Sequence, residues 1–142
     1  MYEDQLKQVE LFEGLEQKEV RLLAKTCTER HYDAGAVLMQ EGEPGAGLFI
    51  LTEGKVHVTQ SAGAGQLPRD IATLEAGEII GEMALLDDLP RSATVTAIEP
   101  SRCLLVPVWD FRAVLRESPD IAIKMLAQLS RRLRKTEQQL YK

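Results

Sequence analysis

Apolar positions at the start of the chain fall at Leu6, Val9, Leu11, Phe12, Leu15, Val20, Leu22 and Leu23. That spacing predicts short helices broken at Gly14. From Glu29 the period shortens to that of strands. Short β-type runs follow at Arg30–Tyr32, Val37–Met39, Leu48–Thr52, Val56–Thr59, Ile71–Leu74, Thr94–Ile98 and Cys103–Val106. Glycine and proline signals separate them, and many short strands at close spacing predict a β-sandwich or barrel. Asp33-Ala34-Gly35 and Glu41-Gly42-Glu43-Pro44-Gly45 carry turn chemistry. Glu53-Gly54 reads as a tight hairpin. The Gly- and Ala-rich stretch Ser61–Pro68 reads as a flexible hairpin loop without a function of its own. No internal repeat is visible.

After Pro107 the helical period returns. Trp109–Glu117 predicts a short helix, and Pro119 suits the first turn of another, with Ser118 as its cap. This last helix runs to about Tyr141. Ala122, Leu126, Leu129, Leu133, Thr136 and Leu140 follow alternating spacings of four and three, a heptad seam. Arg132 then falls at a g position and Glu137 at the following e, where a parallel partner helix would pair them. An amphipathic helix of this kind ordinarily packs on its own domain. The narrow stripe and the length of the helix favour self-association instead.

Composition narrows the field. The chain has 142 residues, one domain plus a modest extension, and 44% hydrophobic residues support a core. Aromatics make up only 5%, so that core rests on Leu, Ile, Val and Ala. A net charge of −5 argues against broad nucleic-acid binding. The basic run from Arg131 to Lys135 therefore reads as a solvated helix face. Cys27 and Cys103 sit in no metal or redox spacing and read as small core residues. His31 and His57 lie in strand-like segments without ligand partners. No phosphate-loop or nucleophile-elbow motif occurs, and no signal peptide or transmembrane window is present. These features point to a non-enzymatic cytoplasmic protein with no metal and no cofactor.

The segment Gly81-Glu82-Met83-Ala84-Leu85-Leu86-Asp87-Asp88-Leu89-Pro90-Arg91-Ser92-Ala93-Thr94 carries the candidate chemistry. An acid, Glu82, and a base, Arg91, stand nine residues apart around a short apolar turn. The pair suits a small ligand with hydroxyls at one end and a negative charge at the other. Arg91 can meet an anionic oxygen with charge-assisted contacts, and Glu82 can accept from a hydroxyl. A turn starting near Glu82 would aim the backbone N–H groups of Met83, Ala84 and Leu85 at the anion. Gly81 lets the backbone approach closely, Pro90 stiffens the entry to the next strand, and Ala84 and Ala93 leave room. Gly-Glu pairs also occur at Gly42-Glu43 and Gly77-Glu78. Composition and spacing alone leave a ligand site and a structural Glu82–Arg91 ion pair both open.

The segment resembles the phosphate-binding cassette of cyclic nucleotide-binding domains. The resemblance extends to Phe12-Glu13-Gly14-Leu15, to Asp33–Leu38, to Glu41–Gly45, to Leu48–Val56, to Asp110-Phe111 and to Ser118-Pro119-Asp120. It implies a mainly β fold with flanking α: an eight-stranded, jelly-roll-like β-roll with N-terminal helices and a long C-terminal helix. It implies that Glu82 binds the ribose and Arg91 the phosphate, with Ser92 touching phosphate or base. The last helix is similar to the dimer helix of catabolite-activator-type regulators, where a Thr at the position of Thr136 contacts the adenine amino group. Glu137 departs from the hydroxyl expected beside it, which puts a contact from the second subunit in doubt.

The expectation is a sensor module that binds a cyclic nucleotide, cAMP with cGMP left open. Residues 1–118 form the binding domain and residues 119–142 a dimerisation or lid helix that receives the signal. The expected partners are the nucleotide and a second copy, without membrane or nucleic acid. The sequence stops at Lys142, where such a regulator would begin its helix-turn-helix domain. A fold of this type that binds no nucleotide, and the sensor half of a longer transcription regulator, are the alternatives.

Overall fold

Short alternating runs build the strands, and their alternation decides which side chains enter the core. Thr94–Ala97, for example, alternates half-buried and buried positions along its length, as a strand with one face inward does. The computed structural model describes residues 2–87 and 89–141, with the Ala84 side chain outside that description. Its strands are β1 (Thr28–Tyr32), β2 (Val37–Met39), β3 (Gly47–Glu53), β4 (Lys55–Gln60), β5 (Arg69–Glu75), β6 (Ile79–Ile80), β7 (Thr94–Ala97) and β8 (Ser101–Pro107). They form two four-stranded antiparallel sheets, ordered β1-β8-β3-β6 and β2-β7-β4-β5. The helices are α1 (Glu3–Lys7), α2 (Gln17–Ala24), α3 (Val108–Glu117) and α4 (Pro119–Leu140). This is the eight-stranded β-roll with N-terminal helices and a long C-terminal helix.

The contacts group the chain into two units, Cys27–Trp109 and the paired segments Met1–Thr26 and Asp110–Lys142. In the β unit, Phe49, Leu51, Val56, Ile80, Val95, Cys103 and Leu105 make the core. Cys103 is fully buried, and burial pushes its thiol up to about 11, so it is protonated and inert at neutral pH. Cys27 is only half-buried, so the core placement expected of both cysteines holds for one.

Glu53-Gly54 is not the expected hairpin. β3 and β4 lie in different sheets, and the chain crosses between them at Gly54. Gly54 has φ +95, and a Cβ there would stand 2.7 Å from the Pro100 carbonyl oxygen. The close approach of this corner to the β7–β8 corner is what requires glycine. The Ser61–Pro68 loop does join paired strands, β4 and β5. His57 Nε2 lies 3.1 Å from Asp70 Oδ1 across that pair, so it has a partner the sequence did not reveal.

In the helical unit, Phe12 and Phe111 meet with ring centroids 6.2 Å apart. Ion pairs from Lys124 and Arg132 tie the N-terminal segment to α4. Lys124 Nζ donates to Glu19 Oε1 at 2.6 Å, and Arg132 Nε to Glu10 Oε1 at 3.1 Å. Arg132 is thus engaged within its own chain rather than held ready for a partner helix. Glu19 is buried and also accepts from its neighbour's backbone, Glu16 N–H, at 2.8 Å. Burial pushes its pKa up, but the bonds from Lys124 and Glu16 outweigh that, and the net shift is downward.

α4 buries Ile121, Met125 and Gln128. The expected seam lies elsewhere: Leu126, Leu133 and Leu140 are 64%, 61% and 74% exposed. Ser118 stands at the N-cap, but its hydroxyl makes no capping bond, and Pro119 begins the helix. No helix among the described residues is long and apolar enough to cross a membrane.

Candidate functional site

Gly81 opens the cassette in the left-handed region, at φ 79 and ψ 26. That conformation is costly for any residue with a Cβ. It turns the chain sharply out of β6 into a single 3-10 turn, Glu82–Leu85. Leu85 points inward, 1% exposed, and anchors the turn to the core. The turn closes with Leu86 N–H and Asp87 N–H donating to the Met83 carbonyl at 3.0 and 3.3 Å. Asp87 Oδ1 accepts from Leu89 N–H at 3.2 Å, folding the next loop back towards Pro90.

Arg91 returns the chain to the sheet. Its backbone is held by a reciprocal pair: Arg91 N–H donates to Glu43 O and Gly42 N–H to Arg91 O, both at 2.9 Å. Thr94 Oγ1 accepts from Glu41 N–H at 3.0 Å and from Gln40 Nε2 at 3.3 Å. Gln60 Nε2 donates to the Ser92 carbonyl at 3.1 Å. The Glu41–Gly45 turn is therefore the platform on which Arg91 is set.

The Arg91 side chain is 7% exposed. Its Nη2 donates to the Gly47 carbonyl at 2.5 Å. Its Nε is buried and has no hydrogen-bond partner among the described residues. The guanidinium lies between two glycines. A Cβ at Gly45 would stand 2.5 Å from Cζ, and one at Gly81 would stand 3.0 Å from the same atom. Burial draws the Arg91 pKa below its ordinary value, and the Asp87 carboxylate works against that fall. A guanidinium keeps its charge through such a shift at neutral pH.

A cavity of about 350 Å³ is lined by Gly81, Glu82, Met83, Asp87, Leu89, Pro90, Arg91 and Ser92. Its size falls within the ~300–1,000 Å³ usual for small-molecule sites. Of the residues expected from the sequence, Gly81, Glu82, Met83, Arg91 and Ser92 share this cavity. The Leu85 side chain does not line it, and that of Ala84 lies outside the described residues. Thr136 sits on α4 in the helical unit, where its hydroxyl donates to the Arg132 carbonyl at 3.0 Å. Its lone pairs remain able to accept.

Three contributors were not read as part of the site from the sequence. Gly47 acts through a backbone carbonyl, which leaves no side-chain signal. Gly45 was legible only as a turn residue. Asp87 lay inside the cassette but had no spacing to mark it. Among the described residues no three His, Cys, Asp or Glu side chains cluster to hold a metal.

Residues 29–118 match the family model of the cyclic nucleotide-binding domain. The chain is 36% identical over 130 residues to the cyclic AMP receptor protein of Thermus thermophilus, covering 92% of this chain and 60% of that protein. It is 38% identical over 105 residues to human cGMP-dependent protein kinase 2, covering 74% of this chain and 14% of the kinase. The crystal structure of the N-terminal domain of a transcriptional regulator from Streptomyces coelicolor A3(2) has a TM-score of 0.85 at 32% identity, covering 96% of this chain and 95% of that one. The chain thus spans less than two thirds of each of these two curated relatives. It belongs to the cyclic nucleotide-binding domain family.

Proposed function

We propose that this member of the cyclic nucleotide-binding domain family is a cAMP-responsive regulatory module that binds its ligand reversibly and without turnover. One observation carries the reading. Arg91 is a buried guanidinium with an unpartnered N–H, and it lines a cavity shared with Glu82. An unsatisfied buried donor costs about 1–3 kcal/mol, and more when charged. An entering acceptor removes that cost, and an anionic one does so with the stronger, charge-assisted bond.

A cyclic nucleotide brings one negative phosphodiester, a free ribose 2′-hydroxyl and a base. Arg91 takes the phosphate through its remaining N–H groups. Glu82 accepts from the 2′-hydroxyl. Gly81 brings the backbone close, and the N–H groups of Met83, Ala84 and Leu85 face the phosphate. Ser92 lies beside phosphate or base. Thr136, donating to its own helix, accepts from the adenine 6-amino group, which guanine lacks. The Thermus relative, a cyclic AMP receptor protein, supports cAMP. The kinase relative keeps cGMP as the competitor.

Signalling in this reading runs from residues 1–118 to the helix at 119–142, in a cytoplasmic homodimer. Ligand shifts the helix between two packings by as much as its affinities for them differ. Calorimetric titration with cAMP and cGMP is the test. One site per chain, tighter for cAMP and with the nucleotide recovered intact, is the expected result. Arg91→Ala should weaken binding by about 2–5 kcal/mol, the usual cost of leaving one charge of a pair alone. That is roughly 30- to several thousand-fold. No heat and no thermal shift at millimolar cAMP or cGMP would refute the reading.

A further inference from the structure

The charges around the cavity do not balance. Among the described residues its lining carries two carboxylates, Glu82 and Asp87, against the single guanidinium of Arg91. Glu82 has a use in the reading above, as acceptor for a sugar hydroxyl. Asp87 has none. Its carboxylate is fixed to the loop by Leu89 N–H, half-buried on the same cavity as the one cation. A carboxylate there repels any phosphate that Arg91 attracts, and it repels two charges about twice as strongly as one.

We propose that Asp87 makes the cavity a charge filter, admitting singly charged phosphodiesters and rejecting doubly charged phosphomonoesters. The influence of Asp87 on the Arg91 ionisation supports their electrostatic contact. The consequence is selectivity against linear nucleotides, whose terminal phosphate carries close to two charges at neutral pH. Contacts to the base and to the 2′-hydroxyl cannot give this discrimination, because cyclic and linear nucleotides share both. Shape contributes to it, but shape does not respond to the charge at position 87. The inference rests on the cavity being a cyclic nucleotide site.

The test isolates charge from shape by using three probes at pH 8: cAMP, 5′-AMP, and the 5′-AMP monomethyl ester. The last two differ by one methyl group and one negative charge. Each competes with labelled cAMP on the whole chain, as wild type, Asp87→Asn and Asp87→Glu. Asn keeps an oxygen acceptor for Leu89 N–H, so the loop retains its turn. The wild type should bind the methyl ester more tightly than 5′-AMP. In Asp87→Asn that ratio should shrink by roughly three- to thirtyfold, the effect of removing one nearby charge at intermediate dielectric. Asp87→Glu should retain it.

A second arm needs no variant. Raising salt on the wild type should narrow the same ratio. An Asp87→Asn ratio within twofold of wild type overturns the filter. Should that variant fail to fold, a wild-type ratio that does not move with salt overturns it instead. A wild type that binds no cyclic nucleotide refutes the function itself. A wild type that binds cAMP, with an unmoved ratio in the variant, refutes only the role of Asp87.

Discussion

Replacing Gly45 with alanine is the sharpest test of how the anion site is built. Gly45 makes no ligand contact in the proposed reading, and its φ lies outside the left-handed region, so alanine fits the backbone. The new Cβ would stand 2.5 Å from Arg91 Cζ and 2.7 Å from Nη2, where ordinary contacts begin at 3.4 Å. The guanidinium must therefore withdraw by roughly 1 Å. The bond from Nη2 to the Gly47 carbonyl, 2.5 Å in the native site, then stretches to the limit of hydrogen-bonding range.

Losing the alignment of one charge-assisted bond to the phosphate costs about 1.5–3 kcal/mol. Affinity for cAMP should fall roughly 10- to 150-fold. Stability should change little. Alanine at a compatible position contributes about 0.4–1 kcal/mol by restricting the unfolded chain, which offsets the weakened internal bond. Calorimetry gives the affinity, and thermal unfolding of the same sample shows that the fold survives. Gly81→Ala also drives a Cβ into Arg91, but φ +79 at that position adds backbone strain and blurs the outcome. A Gly45→Ala protein that folds normally and binds within threefold of wild type would show that Arg91 is not held where the argument needs it.

Glu82→Gln and 2′-deoxy-cAMP each remove one side of the same proposed hydrogen bond, so their effects on affinity should be non-additive in a double cycle; strict additivity would move Glu82 out of the ribose site. The lowered Glu19 pKa makes a stabilising contribution that is fully present above the ordinary value of 4.5 and is lost as pH falls through the depressed folded value. Glu19→Gln should therefore flatten the acid limb of a stability–pH curve below about pH 4.5, and an unchanged limb in chemical denaturation would exclude the Glu19–Lys124 pair as its source. Leu126→Glu with Leu133→Glu should convert a dimer to a folded monomer in sedimentation equilibrium; a wild type that is already monomeric at tens of micromolar would refute association through this stripe.

The sequence was most legible where side chains repeat. Seven of the eight strands were marked by short β-type runs, and the helices were bracketed correctly by Gly14 and Pro119. The eighth strand, Ile79–Ile80, is two residues long and cannot show a period. Gly54 misled because a glycine between two strands looks the same at a hairpin and at a crossing between sheets; only pairing tells them apart. In the site, Glu82 and Arg91 were visible because their side chains carry charge. What holds Arg91 was hidden because it is made of backbone: the Gly47 carbonyl, the reciprocal bonds to residues 42 and 43, and the absence of side chains at Gly45 and Gly81. Backbone carbonyls and missing methyl groups have no sequence pattern until the fold places them.

The stripe of α4 read from the sequence as a self-association seam is not the stripe that packs within the chain. Ile121, Met125 and Gln128 recur at spacings of four and three and are buried. Leu126, Leu133 and Leu140 recur at sevens and stay exposed. At about 100° per residue the two stripes stand roughly a third of a turn apart on the helix. The ion pairs from Lys124 and Arg132 to the N-terminal segment fall on the side of the buried stripe. Substitutions on one stripe therefore need not disturb the other. Those at Ile121 or Met125 leave cavities in the helical unit and lower its stability. Those at Leu126 or Leu133 remove no internal contact of comparable depth. A loss of dimer with unchanged unfolding temperature in the second set, and a loss of stability in the first, would separate association from folding on a single helix.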